Sequence, residues 1–384
     1  MRGVVLAVCA LLAGCASRDV IGARPPVARA AEVQAPPLPV APSREVTEDG
    51  RLVLAFGGDV IAHEAVRAAA ARGGYEAIAE GAREALHGVD LAFANLESPV
   101  TERAVRRGDM IFHADDALVG AIRGVGFEVV SVANNHAYDQ GRAGLADTLE
   151  AVERHGLVAV GAGATYQSAC EPRWIERRGI RIAFLARTLV MNFEEAPARG
   201  MPEVCMLAEG PLQRAARAAR AAGADLVIAS LHWGNEYERA PRREQVEAAH
   251  RLAGAGVDLV IGHHPHVLQP VESVRGPSGH ETLVAYSLGN LISNQGFAFE
   301  PARGHEPDGD TRDVAILRVV VEKVAAGATR IADVSAIPLW TEHDTDGAIR
   351  LVPATARRER IAARLGVPLA VSASGTSTAA RARP

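Results

Sequence analysis

Seven residues able to bind a metal or move a proton stand just after short apolar runs: Asp59, Glu97, Asn135, His136, His232, His264 and His266. Carboxylate oxygen, amide oxygen and imidazole nitrogen together suit a divalent ion such as Mn²⁺, Fe²⁺ or Zn²⁺. One ion or two would serve. Two ions about 3.5–4 Å apart clamp both the attacking and the leaving oxygen of a phosphate ester. His136 is suited to proton donation, because imidazole titrates near neutral pH. In His264-Pro265-His266 the proline stiffens the link. In an extended segment the two imidazoles would share one face, whereas a loop could turn them toward different ions. Taken singly, Asp59 would read as a helix cap and Asn134-Asn135 as a turn. The reading comes from their joint occurrence at successive strand ends.

The elements that must position these residues repeat one pattern. Leu52–Phe56 leads into Gly57-Gly58-Asp59, and Leu91–Ala94 into Asn95-Leu96-Glu97. Glu128–Val132 leads into Ala133-Asn134-Asn135-His136, and Leu226–Leu231 into His232-Trp233-Gly234. Leu259–Ile261 leads into Gly262-His263-His264-Pro265-His266, and Leu283–Tyr286 into Ser287-Leu288-Gly289-Asn290. Residues 180–186 form a further strand, and 314–321 and 330–337 suggest a late hairpin. Alanine-rich helical stretches such as 143–155, 211–222 and 244–255 separate the strands. Strand, polar loop, helix, strand is an α/β pattern, in which sites form outside the carboxyl ends of strands.

The N-terminus reads as an address. Arg2 precedes an apolar run that ends Leu12-Ala13-Gly14-Cys15. The run is short for a membrane span and has the form of a secretory signal. Its ending resembles a bacterial lipobox, which implies removal of residues 1–14 and lipid on Cys15. Residues 15–50 are proline-rich without a periodic apolar face, so they read as a tether. The globular part is expected over 51–355, and 356–384 as a disordered tail containing an Arg-rich helix candidate. The absence of aspartate at position 16 leans toward an outer-membrane lipoprotein in a Gram-negative cell. Of four cysteines, Cys170 and Cys205 remain for the exported part, either as a disulfide or as two buried thiols. No CxxC pair exists, which excludes a thiolate zinc knuckle. A net charge of −5 disfavours a general nucleic-acid binder.

The ordered motifs resemble the bacterial capsule-synthesis family named CapA or PgsA, associated with poly-γ-glutamate and similar to calcineurin-like metallophosphoesterases. They are Gly57–Val60, Asn95–Pro99, Ala133–His136 with Asp139 and Gly141, His232–Tyr237, Gly262–Val267 and Tyr286–Asn290. The resemblance implies a four-layer α/β/β/α sandwich. It implies that Asp59 and His266 bind a first metal, that Asn135, His232 and His264 bind a second, and that Glu97 or Asn95 bridges. His136 would be the general acid. The phosphoesterase pattern has Asp-x-His at the first strand; here Asp59 is followed by Val60-Ile61, and the next histidine is His63, a candidate additional ligand. Glu236 and Asn290 match the family pattern without a role that the residues themselves dictate.

Two functions follow. One is an exported metal-dependent hydrolase acting on a phosphoester or on a peptide-like bond of an envelope polymer. The other is a non-catalytic scaffold or binding subunit of a capsule-synthesis complex.

Overall fold

A computed structural model of the protein describes residues 50–299, 306–324 and 328–370. The expected signal segment, Cys15 and its tether up to residue 49, and the last residues of the tail, 371–384, lie outside the described residues.

The chain begins with β1 (Arg51–Val60), α1 (Glu64–Ala85), β2 (Leu91–Leu96), α2 (Ala117–Val125), β3 (Val129–Ser131), α3 (Gly141–Arg154) and β4 (Val158–Val160). Short β5 (Ala162–Gly163) and α4 (Tyr166–Cys170) lead to β6 (Arg173–Arg177), β7 (Ile180–Thr188) and β8 (Glu203–Val204). Then come α5 (Glu209–Ala221), β9 (Leu226–His232), α6 (Arg243–Ala253) and β10 (Leu259–His263). β11 (Val271–Arg275), β12 (Glu281–Ala285) and β13 (Asn290–Ile292) precede β14 (Asp313–Lys323), β15 (Thr329–His343), β16 (Ile349–Pro353) and α7 (Arg358–Leu365).

Two sheets result. The first runs β16-β15-β14-β1-β2-β3-β4, with β13 pairing the end of β1. The second runs β11-β12-β10-β9-β7-β6. β14 and β15 form the expected hairpin. Alternation along β7 shows how the layers stack. Ile182 and Phe184 join the core shared with the first sheet, whereas Ala183 and Leu185 join a second core. That second core is closed by Leu212 and Ala216 of α5 and Ala249 and Leu252 of α6. On the far side, Val66 and Ile78 of α1 and Leu118 and Ile122 of α2 cover the first sheet. The order is therefore α/β/β/α, as the resemblance implies. β1, β2, β9 and β10 are apolar on both faces because both faces are buried.

The tail expected from residue 356 is ordered as far as Ala370. α7 buries Ile361 and Leu365, and residue 369 bridges to Ala336 of β15. Arg360 and Arg364 reach buried Asp310, and Arg357 pairs with Asp313. Arg357, Arg360 and Arg364 are thus ion-paired to two fixed carboxylates rather than solvated, a contact no local pattern announces.

Cys170, at the end of α4, and Cys205, after β8, are joined as a disulfide with Cα atoms 5.0 Å apart. Arg187 of β7 packs on this bond, touching Cys205 Sγ and donating to the Cys170 carbonyl at 3.2 Å. The bond closes a loop with a sequence separation of 35. We expect reduction, or Cys205→Ser, to lower stability by about 3–4 kcal/mol on chain-entropy grounds. Chemical denaturation with and without reductant checks this, and two reactive thiols in the unfolded, unreduced protein would refute the bond.

Glycine is required where the strand ends meet. A Cβ on Gly262 of β10 would lie 1.9 Å from the Tyr286 carbonyl oxygen, and one on Gly58 would lie 2.1 Å from that of Gly289. Gly262→Ala should cost about 3 kcal/mol in an unfolding titration, while Gly73→Ala, with only a contact at 3.8 Å, should be neutral or stabilising.

Candidate metal centre

The register of the two sheets gathers the polar strand ends. Asp59 of β1 stands opposite Asn95 of β2 and Asn290 of β13. In the second sheet His263 of β10 stands opposite His232 of β9. These ends meet at one edge of the sandwich, where Asp59, Asn95, Glu97, His232, His263 and His266 are all at most 1% exposed.

One amide holds the two carboxylates. Asn95 Nδ2 donates to Asp59 Oδ1 at 2.9 Å and to Glu97 Oε2 at 3.1 Å. Asp59 also faces His263 Nδ1 at 2.9 Å through Oδ1 and His266 Nδ1 at 3.1 Å through Oδ2. Burial pushes the Asp59 carboxyl up, but the bonds to His263 and His266 outweigh it and hold the group well below the usual carboxylate range. Glu97 goes the other way. Burial, then the Asp59 charge, raise it well above its ordinary value. Its Oε1 has no hydrogen bond and lies 3.4 Å from His232 Nε2 and 3.8 Å from His266 Nε2. His232 is pushed well down by burial and by His264, and His264 is pushed down to about 4 by burial and by His266. His232 and His264 thus favour the neutral form, the form that ligates metal.

Three ligand sets emerge among the described residues: Asp59, Glu97 and His266; Glu97, His232 and His264; and Glu236, His264 and His266. The first two share Glu97. Asn135 adds to the second, its Oδ1 lying 2.8 Å from His232 Nε2. A buried carboxylate with an orphaned oxygen beside neutral imidazoles fits a divalent cation, which would offset the cost of burying that charge. The His-Pro-His segment is a loop, not an extended strand. His264 and His266 both take positive φ, 94° and 57°. Each such backbone costs about 1–3 kcal/mol, and here the two imidazoles enter different Glu97-containing sets.

The other sequence candidates fall into place around these sets. Asn95 donates its amide to both carboxylates. His63 enters none of the three sets; its Nδ1 faces the Asn294 amide at 3.3 Å and its ring packs edge-on against Phe112. Glu236 is the one member of the three sets that is not buried. Asn290 donates to Gln295 and to the Thr311 carbonyl, which fixes β13 beside β1. His136 Nδ1 meets Asp139 Oδ2 at 2.8 Å, and that same oxygen accepts the Phe112 amide.

Two participants escaped the sequence reading. His263 bonds Asp59, and its Nε2 is buried without a partner. Asn192, in the loop between β7 and β8, accepts from Asn135 Nδ2 at 3.1 Å and lies against the His136 ring. That bond turns the Asn135 amide so that its oxygen faces His232. Nothing local to Asn192 signals this, because its partners lie 56–57 residues away.

With this geometry established, comparison places the chain among known proteins. It is a layered α/β protein of the capsule-synthesis kind. It belongs to the family described as bacterial capsule synthesis protein PGA_cap, whose pattern matches residues 53–295. It is 29% identical over 297 residues to the PGA biosynthesis protein CapA of Bacillus subtilis, covering 76% of this chain and 74% of that one. It is also 29% identical over 258 residues to the capsule biosynthesis protein CapA of Bacillus anthracis, covering 65% and 62%. A polyglutamine synthesis accessory protein of Mycobacterium tuberculosis is 30% identical over 230 residues, covering 56% and 58%. The matches to these last two thus span less than two thirds of each relative. Among solved structures, Haemophilus influenzae NAD nucleotidase aligns with a TM-score of 0.44 at 13% identity, covering 82% of this chain and 55% of that one.

Glu97 is common to two sets and His232 enters one, so Glu97→Gln should deplete bound divalent metal more than His232→Ala, which leaves Asp59, Glu97 and His266 intact. Elemental analysis of the purified protein checks this order. Equal metal content in wild type and Glu97→Gln would refute it.

Proposed function

We propose that this protein is an envelope-anchored, metal-dependent hydrolase acting in the synthesis or export of a capsule polymer of the poly-γ-glutamate type. The carrying observation is the buried Glu97 carboxylate, shared by two ligand sets and left with an orphaned oxygen. Family membership supports the capsule context. The lipobox ending at Cys15 supports the anchor.

Asp59, Glu97 and His266 would hold one ion, and Glu97, Asn135, His232 and His264 a second. Bound there, divalent metal supplies Lewis acidity and a nucleophile at neutral pH. The chain's own residues do the rest. Asp139 accepts from His136 Nδ1, which fixes the ring and leaves Nε2 for proton exchange with a leaving group. Asn192 keeps the Asn135 oxygen turned toward His232. The substrate bond is a phosphoester or a γ-glutamyl amide.

A second reading has support of its own: the Mycobacterium tuberculosis relative is named a polyglutamine synthesis accessory protein, which favours a non-catalytic subunit of a polymer-assembly complex. Turnover separates the two. Purified protein with Mn²⁺ should hydrolyse a phosphodiester or γ-glutamyl substrate, and His136→Ala should slow it by about 10²–10⁴-fold while metal stays bound. Capsule formation that is unaffected by His136→Ala and Glu97→Gln, with no turnover on either substrate, would establish the scaffold reading instead.

A further inference from the structure

A cavity of about 400 Å³ lies beside the metal centre, lined among others by Arg67, Thr101, Arg103, Arg107 and His113. Arg67 sits one turn into α1, its amide donating to the His63 carbonyl. His113 follows Phe112, whose ring packs against both His63 and His136. The cavity and the metal centre are therefore neighbours across the Phe112 segment.

The polarity of the cavity's hydrogen bonding is one-sided. Arg67 Nη1 lies 2.8 Å from His113 Nε2. A guanidinium only donates, so His113 accepts through Nε2 and carries its proton on Nδ1. Burial, then the Arg67 and Arg107 charges, hold its pKa down, consistent with that neutral form. Arg67 Nε and His113 Nδ1 are then two buried donors without an acceptor. Arg67 has no carboxylate partner among the described residues. This sets it apart from Arg142, Arg220 and Arg357, which meet Glu203, Asp258 and Asp313. Arg107 adds an exposed guanidinium, also without an ion pair among the described residues, whereas Arg103 is neutralised by Asp147. Glu102 and Asp115 line the same cavity, both exposed, and neither pairs with Arg67 or Arg107. Asp115 Oδ1 accepts from the Ala117 amide. A half-buried guanidinium facing an imidazole instead of an acid lacks the acceptor such a group normally finds.

We propose that this cavity is an anion subsite that takes a carboxylate of an acidic chain whose neighbouring unit reaches the metal centre. Arg67 and Arg107 supply the charge and the donors. The identity of the chain as the capsule polymer rests on the function proposed above; anion binding itself does not.

Calorimetric titration of the full chain tests it, using tri-γ-glutamate and inorganic phosphate as probes, with chelator present so that metal plays no part. Wild type should bind tri-γ-glutamate, and Arg67→Ala and Arg107→Ala should each weaken binding by at least about tenfold. Arg107 is exposed, so its variant keeps the test valid if Arg67→Ala fails to fold. Tighter binding of phosphate than of tri-γ-glutamate would overturn the polymer assignment. No binding of either probe at millimolar concentration, or equal affinity in wild type and both variants, would overturn the subsite. Binding that survives chelation, with no hydrolysis once Mn²⁺ is restored, would retain the subsite and remove only the catalytic reading.

Discussion

Two buried carboxylates a single amide apart impose the condition that organises this protein. Asp59 and Glu97 have no solvent to spread their charge, and Asn95 Nδ2 bonds both. Asp59 resolves the conflict with His263 and His266, so it stays ionised. Glu97 has no comparable partner, and its proton affinity rises. A low-dielectric site cannot hold both charges cheaply without added positive charge. Burial above all pushes His232 and His264 toward their neutral forms, so they bring no compensating charge. The arrangement is costly as protein alone and well suited to divalent cations.

The sandwich bears that cost because its sheet ends are rigid. Gly58 and Gly262 let neighbouring backbone approach more closely than any side chain would allow. The positive φ angles of His264 and His266 are held on either side of Pro265, where the Tyr237 amide donates to the Pro265 carbonyl at 2.8 Å. Strain in that loop is affordable only against a core with apolar residues on both faces of each sheet. Charge at the periphery follows the opposite rule. There arginines find acids directly, as Arg239, Arg360 and Arg364 do at Asp310, which joins the loop after β9 to the C-terminal helix.

Much of the centre was legible from strand ends. Asp59, Glu97, Asn135, His232, His264 and His266 each follow an apolar run, and such runs end where an α/β sheet opens a site. What was not legible depended on distant contacts. His263 belongs to the same visible motif, but its bond to Asp59 spans 204 residues. Asn192 lies in a loop without periodicity. His63 was a reasonable substitute for a missing histidine, yet its position at the start of α1 turns it to Asn294 and Phe112. α7 read as an Arg-rich candidate before a loose tail because the acids that order it, Asp310 and Asp313, precede it by about fifty residues.

The order of motifs, the residue chemistry and the alternation of strand and helix are local properties, and the amino-acid sequence alone determined them. It thereby determined the family, the layered class and the nature of the ligand atoms. Tertiary structure decided which oxygen is shared, which imidazole enters which set, and which arginines lack an acid. Those outcomes depend on sheet register and loop backbone angles, where a shift of one residue or one dihedral moves a ligand atom by more than a bond length. No spacing along the chain encodes differences that small.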